Sequence, residues 1–358
     1  MTSESIKSLT EPHYHRKNSL QFFQMFPDPD LKAWAFEQAP ELDPAWLECE
    51  EELKRRVPRV FSSVLERQPV YAQECRDSHA AMMAPGARDY ELSQGVNKNE
   101  FTIPSSVDGF EIPVLQLDLT KHQDQEPEIV IIYYHGGGLR VGEADSEELS
   151  CRHLVKSGVG RVRLYSIGYR LMPSWPATTC VSDSLDGFNA LRSGHAKNVI
   201  VGSSSGGQMA ATVSQMVRKD MFHGVLLRCP VTADGLSAIK YIPERLHWSY
   251  TSMSPSFITI LNTGLKREIP RDGLEKLPLE ASEEELRGLP RTWIQLTTND
   301  TLYSDGLCYA MILRDVGVEV QVEFEKGWPH TFWLKVPELP QALEAEKKMV
   351  GGLKWILR

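Results

Sequence analysis

The chain has 358 residues, 41% hydrophobic and 24% charged, a composition that supports a sizeable buried core. Acidic residues outnumber Lys and Arg by 48 to 39, a formal charge of −9, and such a surface repels phosphate backbones, so no nucleic-acid partner is expected. No run approaches ~18 apolar residues and the opening MTSESIKSLT lacks a leader pattern, so no integral membrane association is expected either.

In chain order, the first hundred residues are mixed. LKAWAFEQAP and PAWLECEEELKRRVPRVFSSVLERQ read as helical, with Trp34, Phe36, Trp46, Leu47, Val60 and Phe61 as buried-face positions. From about residue 100, strand-length apolar runs alternate with helical patterns. IPVLQLDL and EIVIIYYH precede the helical SEELSCRHLVKSG; RVRLYSIGY precedes SDSLDGFNALRSG; NVIVGSS precedes GGQMAATVSQMVRKD, and GVLLRCPV follows. Residues 233–288 interrupt this rhythm and read as a lid insertion. RTWIQLTT, DGLCYAMILRDVG, VEVQVEFEK and a last helix over 338–357 then resume it. Such alternation predicts an α/β fold with a mainly parallel sheet covered on both faces.

The run NVIVGSSSGGQMAA holds Gly202-Ser203-Ser204-Ser205-Gly206, a GxSxG between a strand and a helix. A serine on such a sharp turn has its hydroxyl exposed, which makes Ser204 the candidate nucleophile. An attacked acyl carbon develops an oxyanion that needs preorganised N–H donors. One is the amide of Ser205. The others are expected from HGGG, where glycine lets backbone approach the oxygen: Gly136, Gly137 and, as a further donor, Gly138. His135 ends a strand on the oxyanion side and reads as an organiser of that loop.

Three motifs, HGGG from His135, YRLMP over Tyr169–Pro173 and GSSSGGQMA over Gly202–Ala210, resemble the hormone-sensitive-lipase-like branch of the α/β-hydrolase fold, whose pattern is HGGG, YRLAP and GDSAGG. The resemblance covers roughly residues 110–358. It implies a catalytic domain over 101–358 with residues 1–100 as a helical region contributing to the cap. It also implies a Ser-Asp-His order: TTNDTLYSDG places the acid at Asp300, with Asp305 as its rival, and FEKGWPHTFWL places the base at His330. Ser203, Met172 and Gln208 depart from the family pattern, where aspartate, alanine and often asparagine stand. Arg140 is unusual beside the glycines and is a candidate contact for a substrate carboxylate or phenolate.

Trp248, Tyr250, Met253 and Phe257 in the insertion, with Phe22, Phe23 and Phe26, are candidate pocket walls for an apolar acyl group. Nothing in the sequence has metal-ligand spacing or a nucleotide motif, so neither metal nor cofactor is expected. The six cysteines are scattered without CxxC pairs, which fits a reducing, cytoplasmic compartment. The expected function is a serine esterase acting on a small to medium apolar ester or lactone, with a homodimer possible. An acyl transferase, cyclase or thioester-releasing enzyme of secondary metabolism is the second reading and a ligand receptor the third, disfavoured by the retained His330.

Overall fold

The computed structural model describes residues 30–55, 59–233, 238–259 and 271–358. Its strands are β1 (Val96–Pro104), β2 (Glu111–Leu119), β3 (Ile129–Tyr134), β4 (Val162–Ile167), β5 (Lys197–Ser203), β6 (Gly224–Arg228), β7 (Thr292–Asn299) and β8 (Val320–Pro329). They form a single eight-stranded sheet in the order β1-β2-β4-β3-β5-β6-β7-β8. The β1–β2 and β2–β4 pairings are antiparallel, and every pairing from β4 to β8 is parallel. All six residues of β3 and all eight of β7 are buried, as strands covered on both faces require.

The helices are α1 (Pro44–Arg55), α2 (Val64–Met82), α3 (Tyr90–Ser93), α4 (Glu148–Val155), α5 (Ala177–Leu191), α6 (Ser205–Met216), α7 (Ala238–Tyr241), α8 (Glu283–Leu286), α9 (Tyr303–Asp315), α10 (Phe332–Lys335) and α11 (Pro340–Ile356). Phe188 of α5, Met209 of α6 and Leu307 of α9 bury in one core cluster with Ile132, Ile200 and Ile294. Leu154 and Val155 of α4 bury on the opposite face with Met349 and Leu353 of α11. The insertion lies between β6 and β7. Its described part consists of single turns, among them α7, α8 and 3-10 turns at Glu244–Ser249, Pro255–Phe257 and Pro278–Glu280.

β1 is the element the sequence did not announce. Lys98, Asn99 and Glu100 keep its middle exposed, so no apolar alternation marks it, and charge on an edge strand blocks pairing with other chains. The N-terminal helices are present, but their inward faces are narrower than expected. Trp46 and Glu50 are the buried pair of α1, one helical turn apart, which turns Leu47 outward at 46% exposure. Val60 lies between helices and is 91% exposed. Phe22, Phe23 and Phe26 lie outside the described residues.

The N-terminal region is tied to the loops at the C-terminal ends of the strands. Trp46 packs with Cys229, Trp328, Phe332 and Trp333. Trp34 stacks on Phe324 at 3.8 Å, and the Gln68 side chain of α2 donates to the carbonyls of Arg140 and Met172 at 2.8 and 3.1 Å. Those loops are where open parallel sheets build their sites.

Candidate active site

Ser204 follows the last residue of β5 and caps α6 with φ 53° and ψ −121°, a conformation that side chains rarely adopt. Its own N–H donates to the Arg228 carbonyl at 2.8 Å. The flanking glycines are required by contact. A Cβ on Gly202 would stand 2.1 Å from the Gly206 carbonyl oxygen, and one on Gly206 would stand 2.0 Å from that of Tyr134. The turn can close only without side chains there.

His330 follows β8. Its Nε2 accepts from the Ser204 hydroxyl at 2.9 Å, and its Nδ1–H donates to Asp300 Oδ2 at 2.6 Å. Asp300 is held in turn by the Leu302 N–H at 2.9 Å and the Thr297 hydroxyl at 3.2 Å. Burial opposes a charge on His330, but the Asp300 carboxylate outweighs it and raises the imidazole above its ordinary value. The rival acid is elsewhere: Asp305 accepts from the Thr232 and Ala233 N–H groups and the Tyr250 hydroxyl, and thereby anchors the insertion to α9. Cys229 Sγ lies within 4.8 Å of the Asp300 and His330 ligand atoms, the one group of coordinating spacing among the described residues. The 2.6 Å bond between its two other members already uses their donor and acceptor.

The HGGG loop faces this chain, with one correction. Gly136 is not available as an oxyanion donor, because its N–H donates to Glu147 Oε1 at 2.6 Å. Gly137 and Gly138 donate to no described acceptor, and neither does the amide of Ser205 at the first turn of α6. The amides left open beside Ser204 are therefore those of Gly137, Gly138 and Ser205. A Cβ on Gly137 would sit 2.0 Å from the Val141 carbonyl oxygen, at φ 119°. His135 is fully buried; its pKa is pushed down to about 4 by burial, so the ring is neutral, and its Nδ1–H donates to the Gly136 carbonyl at 2.7 Å. Because a trans peptide opposes its C=O and N–H, that bond aims the Gly137 N–H away from His135.

The expected pocket walls are mostly elsewhere. Phe257 has no exposed surface and stacks on Tyr303, 6.2 Å between rings. Tyr250 is 4% exposed, with its hydroxyl 2.7 Å from Asp305. Both are core residues that fasten the insertion, because a ring stacked into the core offers no face to a ligand. Trp248 is exposed at 53%, as is Met253 at 45%. Arg140 is half-buried. A cavity of about 550 Å³ is lined by Gln68, Phe101, Phe110, Gly142, Tyr169 and Trp175 among others; neither the triad nor Trp248 lines it.

Glu147 is the residue that sequence reasoning missed. It is one acid among several in EADSEEL, and nothing in the text separates it from its solvated neighbours.

Comparison with known proteins places these features. Residues 131–334 match the family model Abhydrolase_3, described as alpha/beta hydrolase fold. Carboxylesterase NlhH of Mycobacterium tuberculosis is 28% identical over 251 residues, 63% of this chain and 73% of its own. A versiconal hemiacetal acetate esterase of Dothistroma septosporum is 24% identical over 286 residues, 73% of this chain and 82% of its own. Among solved structures, vibralactone cyclase superposes with a TM-score of 0.72 at 20% identity, over 90% of this chain and 96% of its own. Brefeldin A esterase, a bacterial homologue of human hormone-sensitive lipase, does so with 0.64 at 23%, over 88% and 95%. A 204-residue family match, an eight-stranded sheet of this order and the three motifs agree: the chain belongs to the α/β-hydrolase family, in its hormone-sensitive-lipase-like branch.

Proposed function

We propose that the protein is a serine esterase that hydrolyses a small to medium, rather apolar carboxylic ester or lactone through an acyl-enzyme. The observation that carries this reading is the relay from Ser204 through His330 to Asp300, at 2.9 and 2.6 Å, beside three backbone N–H groups without an acceptor among the described residues. His330 takes the Ser204 proton as the hydroxyl attacks, and the amides of Gly137, Gly138 and Ser205 receive the oxyanion. His330 then protonates the leaving alcohol, and later activates the water that releases the acid, while Asp300 holds the imidazole tautomer.

The fungal relatives named as versiconal hemiacetal acetate esterases support a short acyl group such as acetate, and with it a place in secondary metabolism. Buried thiols at Cys151, Cys180, Cys229 and Cys308 fit a cytoplasmic location. Trp248 and Arg140 remain the proposed substrate contacts, and a homodimer remains compatible. The test is hydrolysis of p-nitrophenyl acetate, butyrate and octanoate, with products analysed in the presence of an added alcohol. Turnover that falls with chain length and yields free acid supports the reading. Exclusive formation of the transferred ester points instead to an acyl transferase, and no turnover at all contradicts both.

A further inference from the structure

The carboxyl of Glu147 is 3% exposed and stands in the residue just before α4, under the junction of two loops that the proposed chemistry must keep in register. Oε1 accepts the Gly136 N–H at 2.6 Å, which fixes the entry of the oxyanion loop. The Ser203 hydroxyl, next to the nucleophile, lies 2.6 and 2.7 Å from the two carboxyl oxygens. The Tyr133 hydroxyl, from β3, donates to Oε2 at 2.5 Å. Three donors from three places thus converge on one buried side chain with no cation within ion-pair distance among the described residues. Burial pushes its pKa up, while these donors pull towards the ionised form.

Such an arrangement is costly to bury unless every partner is in place. Its geometric result is a clamp with two jaws. Glu147 holds the N–H of Gly136, in the His135–Gly136 peptide, and His135 holds its carbonyl, in the Gly136–Gly137 peptide, at 2.7 Å, so both peptide planes that meet at Gly136 are fixed. A second tie runs from the Leu139 N–H to the Ser205 hydroxyl at 3.2 Å. A Cβ on Gly136 would stand 3.2 Å from Ser204 Cβ, so a small movement of this peptide changes the distance between the oxyanion donors and the nucleophile.

We propose that Glu147 is the positioning residue of the oxyanion hole, its carboxylate bridging the Gly136 N–H and the Ser203 hydroxyl so that the Gly137 and Gly138 amides face Ser204 in register. Glu147 touches no substrate. It acts through the loop, and the inference rests on the serine-esterase reading above. Its location predicts that the carboxylate is transferable: an aspartate at position 203 would bring one to the same junction from the opposite side.

The experiment compares wild type, Glu147→Gln, Ser203→Asp and the double variant, first for fluorophosphonate labelling and thermal unfolding. Kinetics then use p-nitrophenyl butyrate, with inhibition by a trifluoromethyl ketone, which needs the oxyanion donors, and by the matching amide, which binds without forming an oxyanion. The expected result for Glu147→Gln is a kcat loss of about 10- to 100-fold with KM within about 2-fold, the range seen when supporting hydrogen bonds of a site are removed. Ketone affinity falls in parallel while amide affinity holds. Ser203→Asp alone also loses turnover, because it sets two carboxylates against each other, and the double variant regains at least a third of the wild-type kcat. The proposal is overturned if Glu147→Gln keeps wild-type kcat, if ketone and amide affinities fall together, or if the double variant is no better than Glu147→Gln. An unlabelled, inactive wild type would instead sink the serine reading itself.

Discussion

The Ser204 turn and the insertion between β6 and β7 both follow the C-terminal ends of strands in one sheet and are built on opposite terms. The turn is fixed by backbone. Ser204 is held at φ 53° because Gly202 and Gly206 let backbone pass where an added Cβ would stand about 2 Å from a carbonyl oxygen, and the partner loop is held through the N–H and C=O of Gly136. The insertion is fixed by side chains. Its single turns are fastened by Phe257 in the core, by Tyr250 on Asp305 and by Ser252 and Thr251 on Ser304. Backbone-built sites demand particular residues at particular spacings, whereas side-chain-built ones accept many solutions. The first is therefore written in motifs, and the second is not.

Substitutions sharpen that contrast, and the largest effects fall on the turn. Ser204→Ala is expected to lower kcat by a factor on the order of 10⁴–10⁶ with folding unchanged, measured by ester turnover and calorimetry. Asp300→Asn should cost about 10⁴ in kcat by freeing the imidazole tautomer. It also moves the pH profile. Burial lowers the His330 pKa and the Asp300 charge more than restores it, so the net value is raised. The base works only when neutral, so wild-type kcat/KM rises with pH along a limb above the ~6.5 of an ordinary imidazole. In Asp300→Asn the raising charge is gone, and the limb shifts to lower pH. A profile that fails to move would mean that the limb belongs to another group.

Gly137→Ala comes next. The added methyl meets the Val141 carbonyl at 2.0 Å, so the loop must shift and a donor is lost. A decrease of roughly 10²–10³ in kcat is expected, with KM little changed. The insertion should respond in stability rather than chemistry. Phe257→Ala leaves a cavity in a fully buried site and should cost about 3–5 kcal/mol in denaturant unfolding, with kcat of the folded protein within a few-fold. Trp248→Ala, at an exposed ring, should change stability by less than about 0.5 kcal/mol and, if the ring meets substrate, raise KM for bulky esters alone. A large stability loss at Trp248 or a kcat collapse at Phe257 would break the division between the two regions.

The same division explains what could be read from the text. The strand–helix alternation, the interval inserted between β6 and β7 and the residues Ser204, His330 and Asp300 stand in windows whose pattern has physical causes: continuous burial, a turn without room for Cβ atoms, a strand end. β1 was hidden because an edge strand with Lys98, Asn99 and Glu100 exposed has no apolar signature. The roles of Gly136 and Glu147 were hidden because a hydrogen bond across 11 positions leaves no periodicity, and its acid looks like any other in an acidic stretch. Tyr250 and Phe257 misled for the opposite reason. Aromatic residues mark large apolar contact, but composition does not say whether the contact is with a ligand or with Tyr303 and Asp305.

The central claim is that Ser204 is the activated nucleophile, and the most direct measurement is stoichiometric labelling with a fluorophosphonate followed by peptide mapping, with Asp300→Asn alongside. The account predicts one label per chain on the peptide containing Ser204, loss of esterase turnover in proportion to labelling, and much slower labelling in Asp300→Asn. Ester turnover that survives full labelling, or a label mapped to a different residue, would contradict it.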